Sequence, residues 1–228
     1  MNTEYMAAAA VCLFLALGLP LYVAYHVAAL GFKSLAYWRL GLTFLWILAV
    51  SCLASAGWLS DFSGLPPRPF FVLFPALLMV IYWSFNGRTA PVLAQVSQRG
   101  LIGIQGFRIP VELFLWGLFL SGDIPVQMTF EGQNLDILTG ALGAVLYFLW
   151  PRFSEPLQRW VVLGFNSLGL CLLLNIVLTA ILSMPTALRV FMNAPANRVV
   201  TTFPFVLLPT VLVPCALGFH LLSLRKLR

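Results

Sequence analysis

Apolar residues run along the chain in seven long stretches, separated by short clusters of Gly, Pro and charge. The stretches cover about residues 5–30, 37–59, 70–85, 101–120, 134–150, 157–183 and 201–223. A helix needs ~20 mostly apolar residues to cross a bilayer's hydrocarbon core. Each stretch is therefore read as a transmembrane helix, the fifth being short. The fold class expected is all-α: a polytopic bundle of seven spans in a single transmembrane domain over residues 1–228. Loop signals stand at Ser63-Gly64-Leu65-Pro66-Pro67 and at Asn193-Ala194-Pro195. Pro20 is expected to bend the first helix and Pro110 the fourth. Pro204, Pro209 and Pro214 rule out a straight seventh helix. Before the first stretch stand Glu4 and no Lys or Arg, and its apolar core is too long for a secretory signal. It is expected to stay as a membrane helix.

Composition strengthens this reading. Of 228 residues, 61% are hydrophobic and 9% charged, and the mean hydropathy is +0.96. A soluble domain is nearer half apolar and a quarter charged. A soluble enzyme, a disordered chain and a nucleic-acid-binding domain are excluded on this ground. The net charge of +6 then marks loops and lipid headgroup contacts, making membrane lipids the first expected partners. With the N-terminus outside, the inner side collects Lys33, Arg39, Arg88, Arg99, Arg152, Arg159, Arg225, Lys226 and Arg228. The outer side holds only Arg68, Arg189 and Arg198, with the acids Glu4, Asp61, Asp123 and Glu131. This bias orients the N-terminus to the periplasm and the C-terminus to the cytoplasm. The chain has no N-x-[ST] acceptor, which favours a bacterial inner membrane. Cys12, Cys52, Cys171 and Cys215 lie in apolar runs and are read as small buried hydrophobes.

A charge inside the hydrocarbon costs ~3 kcal/mol on insertion scales. The fourth span carries two, Arg108 and Glu112, on one helix face with Gln105 and Trp116. Two readings follow: an internal Arg108–Glu112 ion pair that holds the bundle, or a polar cavity for a ligand, a proton or an ion. Pro110 between the two charges, preceded by Gly100, Gly103 and Gly106, predicts a kinked or locally unwound helix. The fifth span opens with Asn134 and Asp136. Either of them caps the helix, or Asp136 joins Glu112 in a cavity open to the outside. The sixth span shows Ser167, Cys171, Asn175 and Thr179 at four-residue spacing, read as interhelical hydrogen bonding or as part of the cavity.

No cofactor is expected. The one arrangement the sequence offers is a haem between His26 and His220, placed at similar depth in the first and last spans. Nothing else in the sequence supports it, and no other metal site is expected. A rhodopsin is excluded because Lys33 and Lys226, the only lysines, lie at span edges. There is no H-E-x-x-H, no G-x-S-x-G and no Walker-type loop.

The segments Phe107-Arg108-Ile109-Pro110-Val111-Glu112 and Met128-Thr129-Phe130-Glu131-Gly132-Gln133-Asn134-Leu135-Asp136 resemble a stretch found in an uncharacterised family of bacterial multi-pass inner-membrane proteins. The resemblance implies a bacterial inner-membrane location and carries no activity. The leading expectation is a protein that binds or transports a small apolar or amphipathic ligand around Arg108 and Glu112. The alternatives are an accessory subunit, with a membrane-embedded partner or a second copy, and an intramembrane enzyme on a lipid-linked substrate using Glu112 and Asp136.

Overall fold

Long runs of Leu, Ala, Val and Phe in a helix satisfy their backbone hydrogen bonds within the segment, as an apolar surrounding requires. The computed structural model describes residues 2–227, and these are all-α, with no strand among them. The helices are α1 (Thr3–Ala29), α2 (Lys33–Ser55), α3 (Phe70–Phe85), α4 (Ala90–Gln95), α5 (Gln98–Gly103), α6 (Arg108–Leu120), α7 (Ile137–Leu149), α8 (Glu155–Leu182) and α9 (Val213–Arg225). Five helical segments are long and apolar enough to cross a membrane: α1, α2, Gln98–Leu120, α8 and Leu208–Arg225. A sixth arises if α3 is joined to Gly87–Gln95, which leaves it at a bend of 61°.

Seven separate full-length spans are thus more than the structure supplies. The third stretch is a single helix with the expected bounds, α3, but the residues after Phe85, expected as a loop, are largely helical and continue it at the bend. The fifth stretch is a shorter apolar helix, Ile137–Arg152. α7 begins at Ile137 because Asn134 and Asp136 point their side chains into the bundle instead of extending the helix. The seventh span is shortened at its start. Residues before Leu207 form turns, and Leu208–Leu212 is a π-helical turn containing Pro209. Pro204 and Pro209 each lack an N–H, so a regular α-ladder has no donor at either place. Pro214 follows the π-turn within one continuous helical segment, and the Thr210 carbonyl four residues before it accepts from Trp46 Nε1 at 3.2 Å. Pro110 sits in a first turn, that of α6, directly after a 3₁₀ stretch over Ile104–Phe107. The fourth span is therefore locally rewound between α5 and α6.

α1 packs on α2 and α6, while α9 occupies the centre against α3, α5 and α8. The exterior is apolar: Phe14 is 75% exposed and Trp160 72% exposed. Only 28% of the most apolar window of α1 is buried. Water does not tolerate apolar patches of this extent on a monomer, so the architecture is compatible with an integral membrane protein. Two cysteines depart from expectation. Cys12 is buried, but Cys52 and Cys171 are exposed, because no helix covers those faces of α2 and α8.

Two long loops, residues 121–136 and 183–200, fold back over one end of the bundle. Ile124, Gln127, Met128 and Thr129 of the first are buried, as are Met184, Asn197, Val199 and Val200 of the second. Gln127 ties them together. Its Nε2 donates to Ser183 Oγ at 2.9 Å, and its Oε1 accepts from Asn193 Nδ2 at 2.7 Å. At the opposite end Arg39, Arg99, Arg225 and Lys226 donate to groups of neighbouring segments. Arg228, counted with this basic end, lies outside the described residues.

α7 sits close to α5 and α6 because Gly140 and Gly143 face them. A Cβ at Gly143 would lie 2.8 Å from the Ile102 carbonyl oxygen, whereas one at Gly164 meets nothing within 4 Å. Overpacking of this kind costs ~1–3 kcal/mol. Gly143→Ala is expected to lower the thermal midpoint in detergent by at least ~2 °C, and Gly164→Ala to leave it unchanged or raised. Equal midpoints for the two variants would show that this close approach is not maintained.

Candidate functional site

The site forms where the start of α6, the start of α7 and the loop before α7 converge. Arg108, Glu112, Asn134 and Asp136 are all buried, Arg108 being 2% and Glu112 1% exposed. Arg108 Nη1 donates to Asp136 Oδ1 at 2.8 Å, and Thr139 Oγ1 approaches the same oxygen at 3.4 Å. Asn134 links the two carboxylates. Its Nδ2 donates to Glu112 Oε2 at 2.6 Å and to the Met128 carbonyl at 3.1 Å, while its Oδ1 accepts the Asp136 backbone N–H at 3.1 Å.

The pairing differs from the helix-face ion pair read from the sequence. Arg108 takes Asp136, from another helix, and no guanidinium nitrogen of Arg108 lies within 4.0 Å of a Glu112 carboxylate oxygen. An Arg four residues before a Glu is the weaker order on a helix, and the loop supplies both groups with better-placed partners. Asp136 occupies the cap position of α7 without a side-chain bond to that helix's backbone. Its negative charge still lies at the helix start, where the dipole favours it.

The other sequence candidates divide. Gln105 is fully buried and donates from Nε2 to the Ala216 carbonyl at 3.1 Å. Trp116 lies two turns away from Arg108, donating to Glu131 Oε1 at 2.7 Å, so it belongs to the loop end and not to the charge cluster. Asn175 donates to the Gln133 carbonyl at 2.7 Å and does not line the cavity. The rest of its stripe turns outward at Ser167 and Cys171. His26 is exposed against the rings of Tyr22, one turn before it, and Tyr25, its neighbour in the chain. His220 is buried against α8, so the two histidines do not share partners, and a haem bridged between them has no geometric basis. Among the described residues no group of three or more His, Cys, Asp or Glu gathers to hold a metal ion.

A cavity of about 70 Å³ adjoins the cluster. Arg108, Glu112 and Asp136 are its charged lining, and the remainder is almost wholly apolar, including Met128 and Met184 from the two loops. One water needs ~10–15 Å³ measured this way, so the space accommodates a few water-sized groups. Arg108 lines this space, and its Nε and Nη2 are buried without a hydrogen-bond partner. A guanidinium has five donors in a fixed fork, and leaving any of them buried and unpaired is costly.

Sequence reasoning missed the continuation of this polar region along the bundle. His220 Nδ1 meets Asn166 Oδ1 at 2.8 Å, and Asn166 Nδ2 donates to Ser223 Oγ at 2.8 Å. Gln98 Nε2 then donates to Ser223 Oγ at 2.6 Å. Gly169 brings α8 close enough for this arrangement: a Cβ there would lie 2.5 Å from His220 Nε2 and 3.0 Å from Thr139 Cγ2. The buried atoms Gln105 Oε1, His220 Nε2 and Gln98 Oε1 are likewise unpartnered. A readable signal existed in the polar residues Asn166 and His220 inside otherwise apolar runs.

A family model described as Domain of unknown function (DUF8737) matches residues 66–228. That is well over half of the chain, so the chain belongs to this uncharacterised family. The matched region contains α3 to α9 and the whole charge cluster, while α1 and α2 precede it. No curated protein and no solved structure matches the chain.

Removing one member of a buried ion pair costs ~3–5 kcal/mol, because the other charge is left uncompensated. Asp136→Ala is expected to destabilise by that amount, and Arg108→Met in the same chain to restore most of it. Denaturation of the single and double variants in detergent measures the coupling. Strict additivity would remove the pair as the support of this site.

Proposed function

We propose that the chain is an integral membrane protein that binds or transports a small ligand in the cavity beside Arg108. The observation that carries this reading is an arginine, Arg108, that lines an otherwise apolar space and has Nε and Nη2 without a partner. Such a site suits a molecule with an apolar body and one carbonyl or anionic group. The acceptor takes the free edge of the guanidinium, and the apolar part lies against the α8 and α9 residues that line the cavity. Pockets for drug-sized ligands measure ~300–1,000 Å³. The cavity therefore fits a small solute as it stands, and a larger amphipathic ligand requires Met128 and Met184 to swing aside.

Glu112 has a second role in this reading. Its hydrogen-bond partner is the neutral Asn134, and Arg108 is committed to Asp136. A proton or a cationic group arriving with the ligand balances Glu112, which couples ligand passage to charge movement. The unpartnered atoms of Gln105, His220 and Gln98 extend the polar region toward the opposite end, as a transport path needs. The basic residues at that end support a cytoplasmic C-terminus and a periplasmic N-terminus, and a bacterial inner membrane is the location proposed with them.

Native mass spectrometry in mild detergent tests the reading. The wild-type protein is expected to carry a reproducible small-molecule mass. Arg108→Lys keeps a cation for Asp136 but loses the free fork edge, and is expected to reduce the bound fraction ~10-fold. Glu112→Gln is expected to retain the ligand and to abolish the pH dependence of its binding. Retention by Arg108→Lys equal to wild type sinks the proposal. So does a wild-type protein that carries only a stoichiometric protein partner, which is the outcome an accessory subunit would give.

A further inference from the structure

A second, larger cavity lies away from the charge cluster. α2 and α3 have few direct contacts, and the space between them is a groove of about 530 Å³ floored by α1 and α9. Its lining is nearly all apolar, with Val23, Leu42, Ala49, Met79 and Phe219 representative. No acidic residue lines it. Arg39 stands toward one end, half-buried, with its guanidinium carbon 5.5 Å from the centre of the Trp83 ring. Its Nη2 donates to Thr89 Oγ1 at 2.7 Å. No carboxylate lies within 4.0 Å of it among the described residues.

The dimensions point to an occupant. From Arg39 to Ala49 on α2 is ten residues, or ~15 Å along a helix. That is half of a ~30 Å hydrocarbon core, the depth of one leaflet. The groove therefore begins at an arginine and a tryptophan, the residue types of a membrane interface, and runs apolar as far as one acyl chain runs. A guanidinium with one neutral partner retains free donors for a phosphate, to which its fork is matched.

We propose that this groove holds an acyl chain of an anionic membrane lipid, with the phosphate headgroup at Arg39. The inference shares with the proposed function only the membrane setting and is independent of the Arg108 cavity. Arg39 also lies before the family-matched region, so the lipid site joins the α1–α2 hairpin to the family portion of the chain. A bound lipid would fill the gap that α2 and α3 leave between them.

The test compares two lipids with the same acyl chains. Delipidated protein in a neutral detergent is incubated with palmitoyl-oleoyl phosphatidylglycerol or palmitoyl-oleoyl phosphatidylcholine, and adducts are counted by native mass spectrometry. One basic side chain near an anionic lipid is worth about fivefold in binding. Wild type is expected to retain the phosphatidylglycerol about fivefold better, and Arg39→Gln to bring it down to the phosphatidylcholine level. Arg108→Lys is expected to leave both unchanged, which separates this site from the cavity. Equal retention of the two lipids by wild type overturns the proposal, as does undiminished phosphatidylglycerol retention in Arg39→Gln. If Arg39→Gln does not fold, Ala49→Trp decides, since it fills the far end of the groove and keeps the charge. It must lower phosphatidylglycerol retention, and unchanged retention overturns the proposal.

Discussion

Burying a guanidinium in an apolar bundle is tolerated only when a carboxylate and further acceptors come with it. Asp136, which belongs to the start of a different helix and follows a long loop, supplies the carboxylate for Arg108, while Nε and Nη2 are left without an acceptor. The requirement organises the neighbourhood. It fixes where α7 starts, because Asp136 has to reach inward. It draws Asn134 to Glu112 and Met128, so the loop from residue 121 folds into the bundle instead of standing out from it. It also demands a close approach of α7 to α6, which small residues on α7 permit.

Polar groups elsewhere obey the same economy of burial. The exterior is apolar, while the side chains with hydrogen-bonding capacity collect inside, along α6, α8 and α9. Backbone without helical bonds at that depth needs protein around it. The loops at residues 121–136 and 183–200 satisfy this by bonding to each other through Gln127 and to helix ends through Asn197, which donates to the Ala180 carbonyl at 3.0 Å. They act as a packed lid of irregular chain over the charged cavity, not as solvated connections.

Much of this was legible in the sequence, for physical reasons that differ by residue. Arg108, Glu112 and Asp136 stood out because charge is rare in apolar runs, and all three line one cavity. The helices α1, α2 and α8 followed from uninterrupted apolar length. The partner of Arg108 was not legible, since helical spacing reveals neighbours on one helix only and Asp136 arrives from another. Asn175 shows the converse limit: four-residue spacing defined its stripe, but which way the stripe faces depends on neighbours that spacing does not name. The bend after Phe85 escaped because Asn86-Gly87 reads as a plain loop signal, and the helix beyond it is only six residues long. The histidines shared a depth, yet depth along the chain says nothing about azimuth around the bundle, and they face different partners.

The π-helical turn at Leu208–Leu212 has a consequence for everything after it. A turn of this kind accommodates one residue more than an α-turn. Each residue advances a helix by about 100°, so the extra one sets the angular phase of α9. Deleting it would rotate Ala216, His220 and Ser223 together past their partners. The Ala216 carbonyl would leave Gln105, His220 would leave Asn166, and Ser223 would leave Gln98. The wide turn thus works as the indexing notch of the central helix: one residue, placed among prolines, decides which way its whole polar edge is aimed.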